Sequence, residues 1–146
     1  SNAREGKPAL IGQLGGLGNT RQIAVSPAHA FITSREEGLF IVDVSEPSQP
    51  KLVHHYDTAE LATAIAVSGD VAAVGNRFAG IELLDVSQPA QPKHLATIRV
   101  GEVQSLVFHG TWLYAGTWSE KAVAVIDVIN PWKPALVNVV PLDGKG

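Results

Sequence analysis

A motif that returns twice at one interval leaves a chain few ways to fold, and this chain carries such a motif. Leu39–Leu52, LFIVDVSEPSQPKL, comes back as Ile81–His94 (IELLDVSQPAQPKH) and as Val123–Leu136 (VAVIDVINPWKPAL), 42 residues apart each time. Asp43, Asp85 and Asp127 keep the interval without a gap, as do Pro47, Pro89 and Pro131, and Pro50, Pro92 and Pro134. Self-similarity at this period means stacked units, each of which cannot bury its apolar face alone.

Each unit reads as four short strands separated by turn residues. In the first they are Gln22–Ser26, His29–Ser34, Leu39–Ser45 and Lys51–Asp57, divided by Ser26-Pro27-Ala28, Glu36-Glu37-Gly38 and Glu46-Pro47-Ser48-Gln49-Pro50. The second runs Ala64–Ser68, Val71–Asn76, Gly80–Ser87 and Lys93–Val100, and the third Leu106–His109, Trp112–Thr117, Ala122–Val128 and Ala135–Val140. Leu39-Phe40-Ile41-Val42 and Val123-Ala124-Val125-Ile126 are apolar without alternation, which predicts strands covered on both faces. Small residues, Ala24 and Ala66, occupy the first strand, as crowding near a central axis demands.

A four-stranded sheet packed between copies of itself is a propeller blade, and 42 residues falls within the ~40–45 of such blades. The fold class is therefore all-β, three blades of a partial β-propeller; a β-sandwich would not require a constant interval. Residues 1–3 read as a tag scar, 4–21 as a partial repeat and Gly-rich loop, 22–63, 64–105 and 106–142 as the three blades, and 143–146 as a tail. A weak strand over Pro8–Leu14 is part of this reading, since Lys7-Pro8-Ala9-Leu10-Ile11 matches Lys133-Pro134-Ala135-Leu136-Val137 in the same register.

Leu39-Phe40-Ile41-Val42-Asp43-Val44-Ser45-Glu46-Pro47 resembles the consensus of the LVIVD-repeat family, and the resemblance extends from Pro8 to about Leu142. The third unit departs from it, with Ile129 where Ser45 and Ser87 stand. The resemblance implies a bacterial or archaeal β-propeller at the cell surface or secreted; it carries over no catalytic residue.

Closed propellers use about 4–8 blades, so three need completion. One expectation is a homodimer closing a six-bladed ring, first blade against third; the other is a piece of a longer chain that supplies the remaining blades itself. Either covers the apolar ends of the stack, which would otherwise associate. In the first case the strand near Leu10 could serve as an outer strand of the partner's last blade.

Composition narrows function by exclusion. A net charge of −3 offers no basic footprint for nucleic acid, and no apolar run approaches the ~20 residues of a membrane helix. With no cysteine there is no thiolate ligand or nucleophile. The three repeated aspartates invite a metal reading, but each stands before a Pro-containing turn whose N–H groups an Asp accepts, with Ser45 and Ser87 assisting. The repeated prolines, Pro47-Ser48-Gln49-Pro50 included, end one strand and start the next. His29, His54, His55, His94 and His109 share no repeat position and form no metal-ligand spacing. Gly12–Gly18 lacks the Lys-Ser/Thr of a phosphate loop, and no Gly-x-Ser-x-Gly occurs.

What remains is the loops between second and third strands: Arg35 and Glu36 in the first unit, Asn76, Arg77 and Phe78 in the second, Trp118, Glu120 and Lys121 in the third, with Ser119 aligned to Arg35 and Arg77. Variable loops on a repeated scaffold are where binding concentrates. These residues make a candidate binding face for a protein or glycan, with no cofactor implied; solvated loops with structural aromatics are the plainer alternative. A noncatalytic binding or scaffolding module leads this reading. An enzyme with its site at the mouth of the completed channel, or a structural spacer, are its rivals.

Overall fold

The computed structural model describes Gly6 and residues 8–142; the tag-scar and tail assignments at 1–3 and 143–146 lie outside them. Three antiparallel sheets of four strands follow chain order. The first contains β1 (Thr20–Val25), β2 (His29–Ser34), β3 (Gly38–Asp43) and β4 (Lys51–Tyr56). β5 (Ala62–Ser68), β6 (Val71–Asn76), β7 (Gly80–Asp85) and β8 (Lys93–Ile98) form the second; β9 (Val103–His109), β10 (Trp112–Thr117), β11 (Ala122–Asp127) and β12 (Ala135–Pro141) form the third. No helix occurs among the described residues.

The sheets stack face to face. Phe31, Leu39 and Ile41 of the first meet Ala62, Ile65, Val74 and Leu84 of the second in one core. Ala73, Ile81 and Leu83 leave the second sheet's other face to meet Leu113, Ala115 and Ile126 of the third. Burying each large side chain in these layers is worth about 1.5–3 kcal/mol, and the layers are the largest favourable term in the fold. At the axis, the Gln22 Nε2 donates to Gln104 O at 3.2 Å, joining β1 to β9.

The repeated aspartates close the turn after the third strand. Asp43 Oδ1 accepts from Ser45 N at 2.8 Å and Ser45 Oγ at 2.6 Å, Asp85 Oδ1 from Ser87 N at 2.8 Å, and Asp127 Oδ1 from Ile129 N at 2.9 Å. The Ser45 hydroxyl and N–H hold the Asp43 carboxyl below its ordinary value, and the Ser87 N–H does the same for Asp85. Their support for the turns is present above about pH 4 and is lost only as the pH falls through the lowered values.

Four expectations need correction. The first strands begin at Thr20, Ala62 and Val103, ahead of the alternating residues, because the pairing shifts at Thr20/Gln22, at Ala62/Ala64 and between Val103 and Ser105. One extra residue in each strand breaks the period of two that sequence reading relies on. The apolar run of β3 is buried throughout, but β11 alternates buried and half-buried, since only one of its faces has a sheet against it. Pro8–Leu14 forms no strand: it has no neighbour to complete a ladder. Nor does that segment find the fourth-strand position of a last blade empty, since β12 already pairs with β11 along its length. Instead Leu14 and Leu17 lie against Ala30, Ile32, Phe40 and Val42, so the first sheet's outer face is partly covered by its own chain.

The second-to-third-strand hairpins of the first two sheets turn through three residues and enter the next strand at Gly38 and Gly80, with φ of 97° and 84°. A Cβ on Gly80 would overlap the Ile98 carbonyl oxygen, whereas one on Gly69, also at positive φ (57°), meets nothing within 4 Å. Gly80→Ala should therefore cost more than Gly69→Ala, which carries only the left-handed backbone penalty of about 1–2 kcal/mol. Urea unfolding of the two variants measures the difference; equal losses would contradict the overlap.

Candidate functional site

The candidate loops lie at one end of the stack, beside the linkers that carry the chain from one sheet to the next. In the second sheet the Glu60 Oε2 accepts from its own neighbour Leu61 N at 2.8 Å and from Phe78 N at 3.3 Å, tying linker to loop. In the third, Glu120 accepts from Glu102 N at 3.2 Å through Oε1, and Gly101, at φ 106°, packs its backbone against the Glu120 carboxylate. The loops are thus held by their own linkers.

Between the second and third sheets these loops border an open, shallow cleft of about 360 Å³ lined by Arg77, Glu102, Trp118, Ser119 and Lys121. Arg77 Nε donates to Glu102 Oε1 at 3.1 Å, and its guanidinium lies 5.0 Å above the centre of the Phe78 ring. The Ser119 hydroxyl donates to Glu102 Oε2 at 2.5 Å. The Ser119 hydroxyl, then Arg77, hold the Glu102 carboxyl below the ordinary value. Glu102 is therefore ionised at neutral pH and occupied as an acceptor. Arg77's remaining donors, the Lys121 ammonium and the indole of Trp118 are what the cleft offers to a ligand. Trp118 is 70% exposed and Phe78 62%.

The third loop is one residue longer than the others, which moves the correspondence between sheets. Asn76 pairs with Gly80, and Thr117 with Ala122, leaving three residues between strands in one case and four in the other. The backbone N–H of Arg35 donates to Asn19 O, that of Arg77 to Leu61 O, and that of Trp118 to Glu102 O. Trp118, not Ser119, therefore occupies the position of Arg35 and Arg77. β9 and β10 stand 41 residues from β5 and β6, while β11 keeps 42, so the shorter linker before β9 is offset by the longer loop. The extra turn is taken by Lys121, at φ 49° the one non-glycine residue of the described chain with positive φ.

The structure gathers Arg77, Trp118 and Lys121 at the cleft, with Phe78 beneath Arg77, and leaves Arg35 and Glu36 in the first sheet's loop, outside it. Asn76 does not belong to a binding face: it is fully buried, and its Nδ2 donates to Glu82 Oε2 at 2.7 Å. Glu82 is itself 4% exposed and also accepts from Ala59 N at 3.0 Å and Tyr56 Oη at 3.3 Å. This network anchors the first linker from below. Glu120 serves as a linker anchor too. Sequence reading missed Glu102 and Glu82: Arg77 and Ser119 are far from Glu102 in the chain, as Tyr56 and Ala59 are from Glu82, and Glu82 stands where the repeat has Phe40 and Ala124. The histidines do not converge: His55 stacks on Phe40 with ring centroids 4.5 Å apart, and no metal-binding group occurs among the described residues.

Four-stranded antiparallel sheets stacked around their first strands, with loops and linkers at one end, define β-propeller blades, and the structural neighbours are β-propeller proteins. The LVIVD-repeat profile matches residues 17–58 and 61–97, and the chain belongs to the LVIVD-repeat family. The third unit falls outside the matched residues. No curated protein matches the chain by sequence. Among solved structures, Kuenenia stuttgartiensis hydrazine synthase is similar with a TM-score of 0.73 at 19% identity, over 88% of this chain and 38% of that one. The computationally designed Ika4 protein gives 0.70 at 12% identity, over 90% and 79%. A nidogen/laminin complex gives 0.64 at 17% identity, over 86% and 48%. Identities this low show the fold alone, and the chain spans well under half of the hydrazine synthase chain it overlays.

Burial, then the Glu82 charge, raises the Tyr56 phenol to about 12, against 10.0 for a free tyrosine. The folded chain holds this proton more tightly than the unfolded chain, so the contribution is complete below pH 10 and is lost as the pH rises toward 12. Denaturant unfolding should show stability falling over that window, and Tyr56→Phe should flatten the fall while lowering stability at neutral pH, because Glu82 loses a donor. An unchanged alkaline profile in the variant would contradict the network.

Proposed function

We propose that this chain is a noncatalytic propeller module that binds a protein or glycan partner at its loop face, with Trp118 as anchor. The observation that carries the reading is the indole itself: a large apolar side chain, 70% exposed, at the rim of a cleft that also presents Arg77 and Lys121. An indole face stacks on a sugar ring or takes a partner's apolar side chain, and Trp and Arg are the residues that most often dominate binding energy. Arg77 and Lys121 add charge-assisted hydrogen bonds to carboxylate or sulfate groups of the partner. Little ordering entropy opposes binding, because Glu60 and Glu120 already tie the loops to their linkers. A surface or secreted setting belongs to the same reading and rests on the family resemblance.

A glycan array probed with the wild-type chain, run beside a surface-protein interaction screen, identifies the partner. Trp118→Ala and Arg77→Ala should each weaken its binding by about tenfold or more, the range of an interface anchor. Arg35→Ala, outside the cleft, should change it much less. If the triple alanine variant at Arg35, Arg77 and Trp118 kept every interaction of the wild type, the loop face would not be the binding surface.

A further inference from the structure

We propose that the outer face of the third sheet packs on the outer face of the first sheet of a second copy, closing a six-bladed ring of two chains, and that β12 displaces residues 8–14 when it does. This concerns the flanks of the stack and does not depend on the loop-face reading.

The two flanks are the two halves of an interface the molecule already makes twice. Phe31, Leu39 and Ile41 are the side of the first sheet that packs on the second, and they are at most 1% exposed. At the same ladder positions the third sheet carries Tyr114, Val123 and Val125, half-buried because no sheet among the described residues lies against them. The receiving side repeats as well. Ile65 of the second sheet takes the first sheet and is 4% exposed; Ile23, its counterpart in β1, is 62% exposed, and Val25 beyond it is 67%. A third sheet placed on a first sheet therefore reproduces the internal contact, apolar surface on apolar surface. Such a head-to-tail contact must close into a ring or run on as a polymer. Two copies make six blades, within the about 4–8 that close, and three copies do not.

Residues 8–14 occupy the place the incoming sheet needs. Pro8-Ala9-Leu10 repeats Pro134-Ala135-Leu136, the entry to β12. Leu14 aligns with Tyr56 and Ile98, at the ends of β4 and β8, and it rests on the first sheet as those two rest on the cores that follow them. The segment thus sits where a preceding blade's fourth strand belongs. β12 is bonded to β11 along its length, whereas 8–14 has no ladder and leaves Leu10 82% exposed. The unladdered segment gives way.

Sedimentation equilibrium of the full chain tests this. The expected mass is twice the 15.4 kDa of one chain. Ile23→Glu and Val107→Glu, at residues 62% and 58% exposed in the single chain, should keep the far-ultraviolet dichroism of the wild type while weakening the dimer by about a hundredfold or more, since each buries an unpaired charge at the contact. Val25→Glu serves in place of Ile23→Glu if that variant fails to fold. Deleting residues 1–14 should leave the dimer intact or tighten it. A monomer at every concentration would overturn the proposal, leaving the flanks to blades supplied from elsewhere. So would an open polymer, a dimer indifferent to both substitutions, or a folded deletion variant that no longer dimerises, which would mean that 8–14 itself makes the contact.

Discussion

The constraint on which this structure depends is that a four-stranded sheet with two apolar faces is stable only when both are covered. The middle sheet meets it fully: every residue of β7 from Gly80 to Leu84 is buried, between one core on Phe31, Leu39 and Ile41 and another on Leu113, Ala115 and Ile126. The outer sheets meet it on one side. The first compensates partly with Leu14 and Leu17, which bring Phe40 and Val42 to 6% and 2% exposure. The third has no such cover among the described residues, and Tyr114, Val123 and Val125 remain half-exposed. Stability in repeat arrays is a sum of unit and neighbour terms, so the middle unit is the best supported.

That layered core also explains why the loops can hold a defined arrangement. Each hairpin end emerges from a ladder and is bonded again by the linker entering its own sheet, through Glu60 to Phe78 and through Glu120 to Glu102. The turns after the third strands do the equivalent work at the other end, where Asp43, Asp85 and Asp127 accept the N–H of Ser45, Ser87 and Ile129. The repeat conserves what joins strands to one another within the chain, and diverges where side chains face solvent. Trp118, Phe78 and Lys121 lie in the diverged part.

Much of the fold was legible because period and turn chemistry are local. Most strand positions, the three-sheet division and the role of the aspartates follow from the 42-residue interval, the turn residues between strands and the prolines that end them. The candidate site was less legible. Arg77, Trp118 and Lys121 were accessible to sequence reading as loop residues; Asn76 was misplaced because being last in a strand does not say which way a side chain points, and here it points at the buried Glu82. Glu102 was missed because its partnership with Arg77 spans 25 residues and two sheets. The one-residue offset that puts Trp118 opposite Arg77 is invisible in an alignment without gaps, since a shorter linker and a longer loop cancel before β11.

By itself, then, the sequence determined the unit: four strands, their turns and their order, because apolar runs, turn residues and the Asp-containing turns before the prolines act over a few residues. Only the tertiary structure decided how the units face one another. It set which flank stays open, which carboxylate answers Arg77 and what becomes of residues 8–14, because each of those depends on contacts between sheets. A segment with a strand's sequence and no neighbouring strand becomes a cover, and that outcome is decided by what lies beside it rather than by its own residues.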